Sequence, residues 1–202
     1  MKLRLFAFTV LVCAAALVTS CTEKKADTTH DDGAMEHAST DKMPTEVAPP
    51  AFVVDAKFQK QLSESFEAYV KLKDAFVASD AAQVDAAALN TQQVVAGVDA
   101  KLLSGAALND WTLYQQGLDG ALKEIQSADD LEKKRAAFTA VTENLYKSIK
   151  AYGLGGPTAY YEYCPMAFDN QGAYWLSDTD AIRNPYFGDR MLKCGSVEEK
   201  LQ

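Results

Sequence analysis

The strongest constraint on this chain is a helical spacing of apolar residues that begins near Asp55 and continues to Tyr152. In the first segment, apolar side chains recur at steps of three and four with polar residues between them, namely Phe58, Leu62, Phe66, Tyr69, Leu72 and Phe76. Such spacing places the apolar side chains on one face of an α-helix. Three similar segments follow, so we predict four amphipathic helices over about residues 55–79, 80–103, 107–126 and 128–152.

Short connections separate the four segments and limit how the helices can pack. Asp80 is a candidate N-cap for the second helix, Gly105 is a candidate break, and Gly153 ends the fourth helix. Helices of about 20 residues joined in this way favour an up-down antiparallel four-helix bundle. We therefore expect residues 52–202 to form one all-α domain.

The first 21 residues have the features of a bacterial lipoprotein signal. Lys2 and Arg4 precede an apolar stretch that is too short to span a bilayer. Val18-Thr19-Ser20-Cys21 resembles the lipobox, in which the cysteine is diacylated and becomes the new N-terminus. We predict that residues 1–20 are removed and that Cys21 carries lipid, with an ordinary signal peptide as the alternative. No retention signal of the Asp type follows Cys21, which favours the outer membrane over the inner one.

Residues 21–51 are predicted to be a disordered tether, because they are polar and end in a double proline. This tether would hold the folded domain away from the membrane, on its periplasmic side. It contains histidines and methionines that can bind copper weakly, although such residues are more often only part of a linker. They are His30, Met35, His37 and Met43.

Charge and residue content exclude several classes of function. The chain has a net charge of −8, and removal of residues 1–20 takes away two positive charges and leaves −10. Such an acidic surface argues against nucleic acid as a partner. Both histidines lie in the tether, so the predicted domain lacks histidine-based catalytic groups and the Glu-x-x-His pairs of di-iron bundles. We do not expect an enzyme.

The tail from residue 158 to residue 202 differs from the helical region in its high density of aromatic residues. It contains Tyr160, Tyr161, Tyr163, Phe168, Tyr174, Trp175, Tyr186 and Phe187. A long segment of this kind in a small domain is usually functional, and its aromatic content is inconsistent with disorder. We predict a loop-dominated tail that packs on the helical bundle.

Three segments of this tail resemble the DUF3347 family. They are Cys-Pro-Met-Ala at 164–167, Gly-Ala-Tyr-Trp-Leu-Ser at 172–177, and Ile-Arg-Asn-Pro-Tyr-Phe-Gly-Asp-Arg-Met-Leu-Lys-Cys-Gly at 182–195. The resemblance covers about residues 52–202. The family is a domain of uncharacterised function in exported proteins, and it also occurs attached to periplasmic adaptor subunits of copper/silver-type efflux pumps. The resemblance implies a role in metal resistance and an efflux adaptor as a partner.

The Cys-Pro-Met segment is also similar to a Tyr-x-Cys-Pro-Met-His segment of small heavy-metal-binding domains in those adaptors. Ala167 stands where that segment has its histidine, so the ligand set of those domains is incomplete here.

The tail contains two pairs of sulfur-bearing residues, Cys164 with Met166 and Met191 with Cys194. Thiolates and thioethers are soft donors that suit Cu(I) or Ag(I). The sequence therefore predicts a soft-metal site formed by these four residues. A shell of aromatic side chains would exclude water from it, namely Tyr163, Trp175, Tyr186 and Phe187.

A disulfide between Cys164 and Cys194 is the alternative, because disulfides form readily in exported proteins. The two methionines would then only pack against aromatic rings. In that case the domain would be a disulfide-stapled interaction module that docks on an envelope or efflux partner without metal. The sequence leaves both interpretations open.

Overall fold

The computed structural model describes residues 47–202, and four long helices account for most of them. They are α1 (Ala56–Val77), α2 (Ala81–Ala96), α3 (Gly105–Ser127) and α4 (Leu131–Tyr152). Helices that follow one another along the chain pack side by side, as expected for a bundle. The predicted signal peptide, Cys21 and the tether up to residue 46 lie outside the described residues.

Aspartates start three of the four helices. The side chain of Asp55 accepts a hydrogen bond from the Lys57 backbone N–H. The side chains of Asp80 and Asp130 accept hydrogen bonds from the backbone N–H groups of Gln83 and Lys133, three residues further along the chain. Each carboxylate thus satisfies a backbone donor that has no partner within its own helix. The predicted cap at Asp80 is confirmed.

The second helix is shorter than predicted and ends at Ala96 instead of near residue 103. Gly97 follows, and Asp99 caps a separate 3₁₀ turn at Ala100–Leu102. Glycine and aspartate disfavour a helix interior, and this local preference ends the helix although apolar residues continue.

Two aromatic clusters fill the helical core. In one, the Phe58 ring lies edge-on to Trp111 and Tyr152, with centroids 5.3 and 5.0 Å away. In the other, Phe138 packs against Tyr69 at 5.1 Å and Phe76 at 4.7 Å. The second cluster supports the tail, because Tyr186 lies 6.0 Å from Phe138.

The four predicted helices are confirmed, but the tail also forms a small antiparallel sheet, so the domain is not purely all-α. Its strands are β1 (Ala159–Cys164), β2 (Ala173–Ser177) and β3 (Ser196–Leu201), in the order β2-β1-β3. A half-buried strand usually alternates apolar buried residues with polar exposed ones, and β1 does not follow this pattern. Its Glu162 is fully buried, while the neighbouring tyrosines are partly exposed. A search for alternating polarity therefore misses this strand.

The register of the sheet brings the end of β1 close to the start of β3. Cys164 pairs with Ala173 of β2, and Tyr163 pairs with Ser196 of β3. The sheet packs through β2 against α1 and α4. Among residues 47–202, no helix is both long and apolar enough to cross a membrane.

Candidate functional site

The two cysteines of the tail meet at one end of the sheet. Cys164 is the last residue of β1, and Cys194 lies two residues before β3, its neighbour in the sheet. Their Sγ atoms are 2.8 Å apart. A disulfide bond is about 2.05 Å long, whereas two thiolates on one tetrahedral ion with 2.3 Å bonds lie about 3.8 Å apart. The pair is therefore close to bonding distance and must open by about 1 Å to hold a metal ion.

Burial keeps the Cys194 thiol protonated at neutral pH. Cys164 is fully buried and Cys194 is partly exposed. Burial and the neighbouring Cys164 raise the pKa of Cys194 to about 11, while a hydrogen bond from the Met166 backbone N–H opposes this rise. Thiolates are the species that bind metals and attack disulfides. Either reaction at this site must therefore release protons.

Both predicted methionine ligands line one cavity of about 460 Å³. The side chain of Met166 is 47% exposed there, and Met191 is partly buried. Phe168, Phe187 and Arg190 also line this cavity. The structure thus brings the cysteines into contact with each other and places the methionines, two and three residues away in sequence, around a common opening.

An unusual backbone turn follows Met166. Phe168, Asp169 and Asn170 have φ values of 51°, 55° and 67°, in the left-handed region. For residues other than glycine this conformation costs roughly 1–2 kcal/mol each. The turn reverses the chain between β1 and β2 and places Phe168 edge-on against Tyr186, with centroids 5.3 Å apart. Sequence analysis missed it, since no glycine marks the three positions.

Three of the four predicted shell residues lie at the cysteines or the methionine cavity. Trp175 packs so closely on Gly195 that a Cβ there would lie 2.7 Å from its ring. Tyr186 lies edge-on to Trp175, and Phe187 lines the cavity under the Arg190 guanidinium. Tyr163 instead packs against Tyr174 and over Gly172, because successive residues of a strand point to opposite faces.

Asn184 is a residue of the site whose role sequence analysis missed. Its side chain is fully buried. The Nδ2 group donates to the Cys194 carbonyl at 2.8 Å, and Oδ1 accepts from the Tyr186 backbone N–H at 2.8 Å. The only signal in the sequence is that an asparagine precedes a proline in an aromatic segment.

Glu162 is a second residue that sequence analysis missed. It is fully buried, and in the described part of the chain neither its carboxylate oxygens nor the facing Trp175 indole N–H completes a hydrogen bond. Burial raises the pKa of Glu162 to about 8, against the opposing effects of Lys73 and Trp175. Glu162 and Cys164 lie on the same face of β1.

Within residues 47–202, no three histidine, cysteine or carboxylate side chains gather as they would around a hard or borderline metal ion. The two thiols and the two thioethers of the tail are soft donors, and such a set suits a soft ion.

No curated protein and no solved structure matches the chain. One family model, described as a protein of unknown function (DUF3347), matches residues 65–155. The matched region runs from within α1 to just beyond α4 and ends before the tail segments that carry the sequence resemblance. The helical region, through this family model, and the tail motifs, through their sequence, are thus both similar to the DUF3347 family.

Proposed function

We propose that this protein binds one soft metal ion such as Cu(I) or Ag(I), in metal homeostasis or efflux. The ligands are the Cys164 and Cys194 thiolates with the Met166 and Met191 thioethers. The observation that supports the proposal is that the two thiols are in contact, while the two methionines, two and three residues from them in sequence, line one cavity.

Metal binding at this site should strengthen as pH rises. The ion replaces the thiol protons, and the raised pKa of Cys194 means that this thiol is protonated throughout the neutral range. Affinity should therefore increase with pH up to about pH 11. Competition titrations against a chelator at pH 6, 7 and 8 would measure this slope, and a flat profile would argue against thiolate ligands.

Replacing each methionine by leucine tests the complete site. Met166→Leu and Met191→Leu keep apolar volume, so each should change stability by less than about 1.5 kcal/mol. Each variant removes a soft donor, so its Cu(I) affinity should fall clearly in titrations of the reduced protein against a chelator. Leu113→Met, a change of similar size at an exposed position of α3, is the control and should leave Cu(I) affinity unchanged. If both tail variants bind Cu(I) as the parent does, the four-sulfur site is wrong.

A disulfide-stapled interaction module is the second candidate, favoured by the 2.8 Å separation of the sulfurs. Oxidation joins the sulfurs and releases two protons and two electrons to an oxidant, which would also abolish metal binding. The bond closes a loop of about 30 residues and is worth roughly 3–4 kcal/mol. Under this alternative, Met191→Leu is silent in every assay and Cys164→Ser costs roughly 2–5 kcal/mol.

The proposal places the protein in the cell envelope, anchored through lipid on Cys21 and facing the periplasm, on the outer rather than the inner membrane. Support comes from the lipobox-like sequence, and the DUF3347 resemblance supports a metal-efflux adaptor as the partner. No catalytic role is proposed. Mass spectrometry of the N-terminal peptide of the membrane-extracted protein should show diacylated Cys21. An unmodified Cys21, or residues before it, would contradict the anchor.

A further inference from the structure

The two cysteines of the site are held in place by different means. Cys164 belongs to β1, the central strand, which is paired on both sides. Cys194 lies outside any strand, in a turn in which its own N–H donates to the Met191 carbonyl. The position of the Cys194 sulfur therefore depends on what fixes this turn.

Asn184 is the group that fixes it. Besides the hydrogen bond from Nδ2 to the Cys194 carbonyl, the Asn184 backbone N–H donates to the Leu192 carbonyl at 2.9 Å. The other half of the residue is tied to the segment before the turn, because Oδ1 accepts from Tyr186 and the Asn184 carbonyl accepts from Gly188. One fully buried residue thus connects the turn that contains Cys194 to the segment that precedes it.

We propose that Asn184 is a positioning residue that holds the Cys194 sulfur within bonding reach of Cys164. This inference rests on the second candidate function, since it concerns the same cysteine pair and its exchange between dithiol and disulfide. The relevant quantity is the effective concentration of one thiol at the other, which depends on how closely the reduced protein keeps them together.

The Asn184→Asp variant tests this inference. It keeps the side-chain shape and the acceptor for Tyr186, but it places a carboxylate oxygen against the Cys194 carbonyl and removes the donor. In the reduced variant the turn is free to move away from Cys164, whereas the disulfide would hold it in place. The equilibrium constant for forming the Cys164–Cys194 disulfide from the dithiol should therefore fall by at least about fivefold.

This constant is measurable in glutathione buffers. One glutathione disulfide is reduced to two thiols, which take up the two thiol protons, while one disulfide forms in the protein. Thiol alkylation and mass spectrometry give the oxidised fraction. Asn144→Asp is the matched control, because the Asn144 amide also donates to a backbone carbonyl, that of Ala140 on α4. The control should leave the constant unchanged.

The outcomes separate the role of Asn184 from the disulfide exchange on which it rests. If the parent protein forms no disulfide at any glutathione ratio, the exchange between dithiol and disulfide is wrong. If the parent does form it and Asn184→Asp has the same constant, the role of Asn184 is wrong. A second variant, Asn184→Ser, is used if the first does not fold. If neither variant folds, Asn184 supports the whole fold rather than the cysteine pair, and the inference is overturned.

Discussion

Glu162 shows how a single side chain can make the stability of this domain depend on pH. Its carboxyl is buried on the sheet face that also carries Cys164, with Lys73 of α1, Asp178 and Asp180 as its charged neighbours. Burial raises its pKa to about 8 from 4.5. The folded protein therefore binds this proton more tightly than the unfolded chain does, and stability falls as pH rises from about 4.5 to 8.

Replacing Glu162 by glutamine should remove this pH dependence. Near pH 4 the variant and the parent protein should have similar stability, because the carboxyl is then protonated in both states. At pH 9 the variant should be more stable, by up to several kcal/mol. Urea unfolding at both pH values measures the difference. The exposed Glu198, changed to glutamine, is the control, and equal stability of variant and parent at pH 9 would contradict the buried-carboxyl interpretation.

At the scale of elements, the edge of β2 depends on two tyrosine hydroxyl groups. The Leu176 backbone N–H donates to the Tyr69 hydroxyl at 3.1 Å, and the Tyr186 hydroxyl donates to the Tyr174 carbonyl at 2.5 Å. The Tyr69 hydroxyl also shares a hydrogen bond with Thr142 of α4. These groups satisfy backbone atoms that a neighbouring strand would otherwise bind, so they allow the edge of the sheet to pack against helices.

Removing these hydroxyls should weaken the attachment of the sheet. Tyr186→Phe leaves the Tyr174 carbonyl without this donor, and Tyr69→Phe leaves both the Leu176 N–H and the Thr142 hydroxyl without a partner. We expect losses of about 1–3 kcal/mol in the free energy of unfolding, with the larger loss for Tyr69→Phe. Tyr160→Phe is the control, because among residues 47–202 the Tyr160 hydroxyl has no side-chain hydrogen bond. Equal stabilities for all three variants would contradict this role.

The helices could be predicted from the sequence, and the strands could not, for a physical reason. Apolar residues such as Phe58, Leu62 and Phe66 repeat with the helical period over many turns, which gives a redundant signal. Strand β1 is short, and its buried glutamate reverses the expected polarity. The contact between Cys164 and Cys194 depends on β1 and β3 being neighbours, a non-local property that sequence spacing does not contain.

At the scale of the whole molecule, the folded unit begins slightly earlier than the predicted tether boundary at residue 51. The Ala51 and Phe52 backbone N–H groups donate to the Lys150 and Ala151 carbonyls at the end of α4. Ala48 lies beside Tyr146, where the tyrosine packs on the sheet. These contacts give residues 47–52 a role in stability that a tether does not have.

Two truncations should separate the tether from the fold. Removing residues 22–46 should leave the melting temperature within a few degrees of the parent value, because these residues precede the contacts with α4. Removing residues 22–52 should lower it clearly, since the carbonyls at the end of α4 lose their donors. Differential scanning calorimetry of both proteins measures this contrast. A large drop for the shorter deletion would show that part of the tether belongs to the core.

The chain enters and leaves the fold at one end of α4, and the sulfur site lies at the other. Phe52 bonds to the last turn of α4, and a Cβ at Gly153 would lie 3.1 Å from the Gln202 carbonyl. Glu132, in the first turn, borders the methionine cavity and pairs with Arg190 at 3.1 Å. The 22 residues of α4 separate the two ends by about 33 Å. If the proposed lipid anchor holds the domain through residues 47–52, the methionine cavity faces away from the point of attachment, and under the proposed function a metal donor could reach it without contacting the membrane.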